Sequence, residues 1–392
     1  MRTTSNSSTT KLEANDNTMN TVQEHISPYF SVSQTKYGGR GCFANLEIPC
    51  GTQIHYCPRP IGYTVSRCFK KEVCYWCFKY DYGTIMKSKI TGDLGGNSNK
   101  NACSLHFCSD ACAQSYREAD ADGLLTRNLL EAERNYLLGL KQPADEWKEP
   151  TGSVDDAIAA AWSSAEKWHE ELDAGKQSKG RAQNRNVAVV PRIDEGDFSE
   201  AIYVIHVAFN TFQNQMKASS FEYDTADLAA KMKLELIMFN SLQSTEIEKY
   251  HRYPYLIESF VKIYKFLKLT CSWELQPYIT PQNVRLIIGR NLPNAFGIWS
   301  HTKSPTEDKE YLGFAVYPSA SLFNHSCEPN IKKIRMKNDL RFVALRDIQK
   351  GEELCISYGN HQDEDVDERQ KQLSEWFFTC SCAKCTRELT LR

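Results

Sequence analysis

The sequence has no long hydrophobic run, and its 392 residues carry a formal net charge of only −2. A membrane-spanning helix needs about 18 or more consecutive apolar residues, so the chain is not expected to cross a membrane. The 47 Lys and Arg residues are balanced by 49 Asp and Glu residues, so no overall electrostatic field draws the protein onto nucleic acid. Neither a membrane nor a nucleic acid is therefore expected as a partner.

The first residues also lack an apolar signal-peptide core and are rich in Ser, Thr and Asn. We interpret residues 1–25 as a disordered tail and expect an intracellular protein of the nucleus or the cytoplasm. A basic stretch, Lys176 to Arg185, is interpreted as a solvated linker, with a localisation signal or a nucleic-acid contact as the alternatives. The remaining composition, 41% hydrophobic and 24% charged, is typical of a soluble globular protein of two to three domains.

Cysteine, in contrast, is plentiful, because the chain has 15 and most stand in short-spaced groups. Disulfides are uncommon inside cells, so such groups predict zinc sites. Two close pairs have the spacing of a tetrahedral four-thiolate zinc site: Cys74-x2-Cys77 and Cys108-x3-Cys112. The alternative is a set of four unrelated thiols.

A second group near the end of the chain contains Cys380, Cys382 and Cys385. Three thiolates leave one position of a tetrahedral metal open, so a fourth ligand is expected from elsewhere in the chain. Five ungrouped cysteines lie among apolar or strand-like residues and are expected to be small buried hydrophobes: Cys42, Cys50, Cys57, Cys271 and Cys355.

The hydrophobic pattern divides the chain into strand-like, cysteine-rich and helical parts. Residues 26–63 are strand-like, residues 124–250 are mostly helical, and strands return from about residue 311. Ser153-x-x-Asp156 predicts a helix start by a capping arrangement, and Thr280-Pro281 predicts another as N-cap and first helical position. Further helices are expected near 199–216, after Asp224, and near 255–269. The apolar stripes of these helices are interpreted as core.

Three segments in the second half of the chain occur in a fixed order. They are Asn324-His325-Ser326-Cys327, the stretch from Gly351 to Tyr358, and the cysteine triplet. In this order they resemble the C-terminal half of a SET domain, the fold of protein lysine methyltransferases. Gly39-Arg40-Gly41, between two strand-like segments, resembles the opening motif of the same domain. Leu105 to Ser109 resembles part of a MYND zinc finger, so the chain is identified as a member of the SET and MYND domain-containing protein lysine methyltransferase family.

The resemblance implies an α+β fold in which a SET-type β-fold is split by a MYND-like zinc finger and a helical insert. It predicts these parts in order: the N-terminal part of the SET domain at 26–67, a partial MYND-like finger at 68–116, a helical insert at 117–292, the C-terminal part of the SET domain at 293–360, and a post-SET zinc segment at 361–392. Protein lysine methyltransferases of this kind take their methyl group from S-adenosylmethionine, and their substrate is a lysine of a protein or peptide.

The resemblance also implies the site residues. The cofactor-binding positions are Gly39, Arg40, Gly41, Asn294, Ser321, Leu322, Asn324, His325, Tyr358 and Phe378. The implied catalytic residue is Tyr358, and the fourth ligand for the cysteine triplet is Cys327. Trp376 stands where many relatives have a tyrosine and is expected to form an apolar wall of the substrate channel.

The chemistry explains why one tyrosine can be sufficient. Methyl transfer from a sulfonium to an amine is an in-line displacement that needs a neutral lysine amine within about 3–3.5 Å of the methyl carbon. A tyrosine hydroxyl and backbone carbonyls can orient that amine. The sequence contains no Ser-His-Asp or paired-carboxylate arrangement that competes for this role.

The cysteine-rich module departs from a complete MYND finger. Such a finger binds two zinc ions, but Asp120 and Leu124 stand at the positions of its second His-x3-Cys pair. We therefore predict one zinc ion in this module and two in the protein, with Cys103 as a leftover of the lost site. A protein partner at the module remains a candidate, and the protein is expected to be a monomer.

Two other functions are consistent with parts of the sequence. Trp376 and the incomplete finger favour a non-catalytic protein that keeps the fold and its cofactor or zinc sites. A DNA-binding zinc-finger protein is disfavoured by the balanced charge and by the absence of a recognition-helix pattern. The motifs leave open the identity of the substrate and the number of methyl groups transferred.

Overall fold

The computed structural model describes residues 26–37, 39–92, 103–144, 146–147, 149, 152–177, 189–216, 228–291, 293–301, 309–359 and 363–391. The predicted tail 1–25 and most of the basic stretch lie outside these ranges. Within them the protein is a mixed α/β structure.

Twelve strands are found in the described ranges, and they form four small sheets. The strands are β1 Phe30–Gln34, β2 Arg40–Ala44, β3 Gln53–Cys57, β4 Gly62–Val65, β5 Ser88–Thr91, β6 Ser104–Phe107, β7 Ala295–Trp299, β8 Tyr311–Val316, β9 Asn324–His325, β10 Ile331–Met336, β11 Asp339–Ala344 and β12 Glu353–Ile356. The sheet orders are β1-β2-β12-β9, β10-β11-β3, β4-β8-β7 and β5-β6.

The helices of the described residues lie mainly between β6 and β7. They are α1 Asp110–Ala119, α2 Leu124–Gly139, α3 Val154–Gln177, α4 Glu195–Met216, α5 Leu228–Phe239, α6 Glu246–Arg252, α7 Leu256–Thr270, α8 Pro281–Asn291, α9 Val366–Leu373 and α10 Ala383–Thr390. None of them combines the length and the apolar character of a membrane span.

The two ends of the chain are joined in the same sheets. Strand β2 pairs antiparallel with β12, which brings Phe43 opposite Glu353. Strand β3 pairs with β11, and β4 pairs with β8. Because each of the three larger sheets combines strands from before and after the insert, neither half completes them alone. This agrees with the expectation of a β-fold that is split by an insertion.

The predicted helix starts are confirmed where side chains cap them. The Ser153 hydroxyl accepts the amide of Asp156 at 3.1 Å and donates to the Asp156 carboxylate at 2.7 Å, so Ser153 caps the start of α3. The Thr280 hydroxyl accepts the amide of Asn283 at 3.1 Å and begins α8. Helix α4 starts earlier than predicted, because Asp194 accepts the amide of Asp197 at 2.8 Å.

The helical insert packs directly against the β-structure through α4. A Cβ added at Gly62 of β4 would lie 2.7 Å from the ring of Tyr203, so only glycine allows this close approach. The Asn210 amide donates to the carbonyl of Ile61 at 2.7 Å. His206 is 2.9 Å from the hydroxyl of Tyr75, which connects α4 to the cysteine-rich module. The insert and the module are therefore anchored to the same strand region.

Two of the ungrouped cysteines, Cys50 and Cys355, differ from the prediction. Cys355 is only half-buried. Cys50 is exposed, because it lies in the turn before β3 rather than in a strand.

Cys57 is buried in the core as predicted, and its thiol also belongs to a polar network. Its sulfur is 3.3 Å from His55 Nε2 and 3.2 Å from the Ser319 hydroxyl. The carboxylate of Glu235 on α5 accepts the Ser319 amide at 2.9 Å, so the network fixes α5 to the sheets.

Candidate active site

Three strands bring the predicted cofactor-binding residues of both halves together. Strand β9 runs parallel to β12, and β12 pairs with β2. As a result the Asn324 side chain lies beside β2, and its amide donates to the carbonyl of Arg40 at 2.8 Å. The same amide is 2.9 Å from the Glu353 carboxylate and 3.1 Å from the Tyr37 hydroxyl. Neither Glu353 nor Tyr37 was assigned to the site from the sequence.

Gly41 is required at this corner because two side chains occupy the space beside it. A Cβ at this position would lie 2.5 Å from a Glu353 oxygen and 2.9 Å from the Asn324 amide nitrogen. Any other residue would therefore displace one of these groups from β2. Gly39 has a different role, since its φ of +73° lies in the left-handed region and its surroundings are open.

Tyr358 lies two residues after the end of β12, and its side chain contacts the backbone just before Asn324. Its hydroxyl donates to the backbone carbonyl of Phe323 at 3.1 Å. Burial raises the pKa of Tyr358 well above its ordinary value, with the charges of Cys355, Cys42 and Glu353 as smaller causes. The phenol is therefore neutral across the physiological pH range.

An aromatic group surrounds Tyr358. The ring centroids of Trp376 and Phe378 each lie 6.1 Å from that of Tyr358, and the His325 ring lies at 5.3 Å. The turn that carries Trp376 is held by Arg252 at the end of α6, which donates to the Ser374 carbonyl at 3.0 Å. Both aromatic residues that were predicted near the site are thus adjacent to the tyrosine.

Four other predicted cofactor-binding residues use polar or backbone groups to connect elements of the fold. The Asn294 amide donates to the carbonyls of Gln243 and Arg290, at 2.9 and 2.7 Å. The Ser321 hydroxyl donates to the carbonyl of Asn294 at 3.0 Å, and the Leu322 carbonyl accepts the Cys42 thiol at 3.5 Å. The Arg40 guanidinium donates to the carbonyl of Ser241. These contacts position the backbone around the Asn324 corner.

A cavity of about 1620 Å³ opens next to Tyr358. Its walls are mainly β7, β8 and β10, and Trp376 and Ser357 stand beside the tyrosine at its edge. The volume is sufficient for several residues of an extended peptide. Tyr358 therefore borders both the Asn324 segment and a wide cavity.

The first cysteine group forms a compact cluster in the described structure. The donor atoms of Cys74, Cys77, Cys108 and Cys112 all lie within 4.8 Å of one another. Two of the sulfur–sulfur distances are 3.6 Å, close to the roughly 3.8 Å that a tetrahedral zinc with sulfurs at about 2.3 Å requires. A hydrogen bond from the Cys77 thiol lowers the pKa of Cys74 to about 5. The donor set and spacing fit a zinc ion.

The second cluster contains Cys327 together with the terminal triplet, again within 4.8 Å. Cys327 Sγ lies 3.6 Å from Cys385 Sγ and 4.0 Å from Cys380 Sγ. A hydrogen bond from Cys380 lowers the pKa of Cys382 to about 3. The buried Arg369 guanidinium donates to Cys385 Sγ at 3.6 Å and supplies positive charge for thiolates. This cluster also fits zinc.

The position of a second MYND zinc site is occupied differently. Asp120 is buried, and its carboxylate accepts the amides of Leu125 and Thr126 at 2.9 and 2.8 Å. It therefore caps α2. Cys103 is buried outside the two four-cysteine clusters, and its pKa is raised to about 11 by burial. No pattern in the sequence around Asp120 had predicted that its carboxylate would cap a helix.

The fold and this site define a SET-type domain with a cysteine cluster next to its tyrosine. Consistent with this, the SET domain family matches residues 39–359. A "Potential protein lysine methyltransferase SET6" of Saccharomyces cerevisiae is 31% identical over 389 residues, which are 93% of this chain and 96% of the relative. The chain therefore belongs to the SET-domain family of protein lysine methyltransferases.

More local matches concern SET and MYND proteins. Human "Histone-lysine N-methyltransferase SMYD3" is 40% identical over 79 residues, which are 20% of this chain and 18% of the relative. A "SET and MYND domain-containing protein" of Dictyostelium discoideum is 38% identical over 102 residues, 26% of this chain and 25% of the relative.

Proposed function

We propose that this protein transfers methyl groups from S-adenosylmethionine to lysine side chains of proteins, with Tyr358 as the catalytic residue. The observation that carries this proposal is the position of Tyr358. Its hydroxyl lies on the Phe323 carbonyl next to Asn324, and its ring borders the cavity. A lysine that enters through the cavity would reach the Asn324 corner past this hydroxyl.

The residues at the Asn324 corner fit the chemistry of the cofactor. S-adenosylmethionine has cationic groups and an adenine ring, and bound in this site it supplies an electrophilic methyl group. The partly buried Glu353 carboxylate and the backbone around Asn324 and Arg40 offer acceptors for cations. Phe378 offers an aromatic surface for the adenine ring, and its own ring centroid lies 6.2 Å from that of the predicted cofactor-binding residue His325.

Tyr358 would orient the target amine rather than remove a proton from it. Its own proton is donated to the Phe323 carbonyl, and its raised pKa keeps the phenol neutral. The oxygen lone pairs then remain available to accept an N–H of the amine. Desolvation of the amine next to the buried Tyr358 disfavours the charged ammonium form, which promotes the neutral amine that the displacement requires.

Trp376 is proposed to form the wall of the channel next to Tyr358. An indole offers one N–H donor and no acceptor, so it cannot replace a second hydroxyl. Its bulk limits the space around the methylated amine. We therefore propose that Trp376 favours a low methylation state of the product.

Several further assignments are proposed for the rest of the molecule. Each four-cysteine cluster would hold one zinc ion, so that the protein carries two. The module that contains Cys74 and Cys108 is proposed to be a MYND-like finger and a site for a protein partner, on the basis of its four-cysteine cluster and of the resemblance of residues 105–109 to part of such a finger. The protein is proposed to act as a monomer in the nucleus or the cytoplasm.

The proposal is tested by incubating the purified protein and a cell lysate with labelled S-adenosylmethionine. Labelled proteins are expected with the native protein and with Tyr255→Phe, a control at an exposed tyrosine. Tyr358→Phe should reduce labelling by about two orders of magnitude while cofactor binding, measured by calorimetry, is retained. Asn324→Ala should lose both.

The outcomes separate catalysis from binding. Full labelling by Tyr358→Phe would remove this residue from its proposed role. Cofactor binding by the native protein without any labelled product would favour the alternative of a non-catalytic binding protein. That alternative is supported by Trp376, which stands where many relatives have a tyrosine.

A further inference from the structure

The described residues that line the cavity beside Tyr358 are mostly basic among their charged members. Among its described lining residues, four are basic, namely Lys309, Lys332, Lys333 and Arg335. Glu375 is the single acidic residue of that lining, and it forms an ion pair with Arg252 at 2.8 Å. The described lining of the cavity therefore has a net positive charge, although the whole chain has a net charge of −2.

The basic residues cluster around two facing strand edges. Strand β10 is the edge strand of its sheet, and β7 is the edge strand of another. Lys332 and Lys333 lie on β10, and the Lys333 ammonium is 5.6 Å from the ring centroid of Phe296 on β7. Arg335, two residues further on the same face of β10, donates to the Trp299 carbonyl of β7 at 2.6 Å. The charges of Lys333 and Arg335 are thus directed towards β7, into the space where an extended peptide can lie.

These lysines have no described carboxylate within ion-pair distance, so their charge is uncompensated within the described residues. Lys332 and Lys333 are exposed in the cavity wall. Although the Lys333 residue is exposed overall, its ammonium lies over the Phe296 ring, and desolvation there lowers the pKa of Lys333 to about 8. The pKa of His301, which also lines the cavity, is lowered by desolvation and by the charges of Arg335 and Lys309. A ligand that brings carboxylates would relieve this repulsion.

The walls also provide apolar and aromatic surface. Phe296 packs edge-on against Tyr317 at 5.9 Å, and Trp299 packs against Tyr311 at 5.2 Å. Trp299 and Tyr311 are about half exposed. Such rings can contact the side chains and backbone of a peptide, while the lysines favour a peptide that carries negative charge.

We infer that the cavity binds a protein segment in which acidic residues flank the target lysine. This inference rests on the proposed methyl transfer at Tyr358, because the tyrosine defines where the target lysine must end. Lys332 and Lys333 would contact carboxylates of the segment, and the aromatic residues would contact its apolar side chains. A protein segment is favoured over nucleic acid because a lysine must be presented to Tyr358.

The test uses three short fluorescent peptides with one central lysine each. Their flanking residues are Asp and Glu, Asn and Gln, or Lys and Arg. Methylation is measured as kcat/KM, and binding is measured separately by fluorescence anisotropy at low and at moderate salt. We expect the native protein to prefer the acidic peptide over the neutral peptide by roughly tenfold at low salt, with a smaller preference when salt screens the charges.

Charge reversal at the cavity provides the decisive comparison. The variant Lys332→Glu/Lys333→Glu should lose the preference for the acidic peptide and bind the basic peptide better than the native protein does. Lys332→Arg/Lys333→Arg should keep the native preference. The control Lys141→Glu/Lys350→Glu makes the same change in net charge at exposed lysines outside the cavity lining and should also keep it.

Several results would overturn the inference. The first is that the native protein methylates and binds the three peptides equally well. The second is that Lys332→Glu/Lys333→Glu keeps the native preference for the acidic peptide. The third is that the native protein binds a single-stranded RNA more tightly than the acidic peptide. If no peptide is methylated but the acidic peptide still binds and loses affinity on charge reversal, the proposed activity fails while the acidic binding site is supported.

Discussion

The backbone N–H of Tyr358 donates a hydrogen bond to Nδ1 of His325 over 3.1 Å. Because Nδ1 accepts this bond, the ring proton of His325 resides on Nε2. That nitrogen lies 3.3 Å from the sulfur of Cys327 in the second cysteine cluster. A single imidazole therefore connects the proposed zinc ligand to the backbone of the proposed catalytic tyrosine.

Replacement of this imidazole should affect the metal cluster and catalysis together. His325→Phe retains a ring but removes both hydrogen bonds, and residues that support metal ligands typically contribute about 10–100-fold to affinity or activity. We expect kcat to fall by about tenfold or more and zinc to be lost more readily to a chelator. The control His251→Phe lies at an exposed ion pair with Asp155. Native kcat and native zinc retention in His325→Phe would contradict the connection.

A methyl group at Gly41 should disrupt the Asn324 corner. In Gly41→Ala the new Cβ would be forced against Glu353 and Asn324, at 2.5 and 2.9 Å. Overpacking of this kind costs about 1–3 kcal/mol, and here it separates Asn324 from β2. Cofactor affinity measured by calorimetry should fall by about tenfold or more. Gly139→Ala is the control, since its Cβ would meet its nearest neighbour at an ordinary 3.5 Å. Equal affinities in the two variants would refute this explanation.

The two cysteine clusters should lose metal independently. Zinc measured by mass spectrometry should fall from two ions to one in Cys77→Ser and also in Cys385→Ser. Only Cys385→Ser should in addition reduce kcat strongly, because its cluster contains Cys327 and lies next to Trp376 and Phe378. The control Cys68→Ser changes an exposed thiol outside both clusters. Two zinc ions in either cluster variant would exclude that cluster as a zinc site.

The buried network around Glu235 should give stability a distinctive pH dependence. Burial raises the pKa of Glu235 from 4.5 to about 7. Between these values the unfolded chain releases the proton while the folded protein keeps it, so the free energy of unfolding falls as the pH rises. Glu235→Gln resembles the protonated form and does not titrate. Relative to this variant, the native protein should lose about 3 kcal/mol between about pH 5 and pH 8.

Denaturant unfolding at several pH values measures this difference. The control Glu248→Gln changes an exposed carboxylate and should follow the native profile. Parallel profiles for the native protein and Glu235→Gln would mean that Glu235 is ionised in the folded state.

Local patterns in the sequence were sufficient for much of the fold. The capping residues Ser153 and Thr280 determine where α3 and α8 begin, because a side chain next to a helix end acts over only a few residues. The spacing of the cysteine pairs likewise predicted the first cysteine group, whereas Cys327 was added to the second group by the family resemblance, and the structure brings the donor atoms of each group within 4.8 Å. Cys50 was assigned wrongly, because its burial depends on which turn of the chain covers it.

The sequence by itself determined the SET-type class, since the motifs around Asn324, Tyr358 and the cysteine triplet are short and specific, and the less specific Gly39-Arg40-Gly41 motif agrees with them. Only the tertiary structure placed Glu353 and Tyr37 beside Asn324, and Glu235 beside Cys57. It also decided that Lys332 and Lys333 line one cavity with Phe296 and Tyr358. Such contacts join residues far apart in the chain, so they arise from strand pairing and packing rather than from any local spacing.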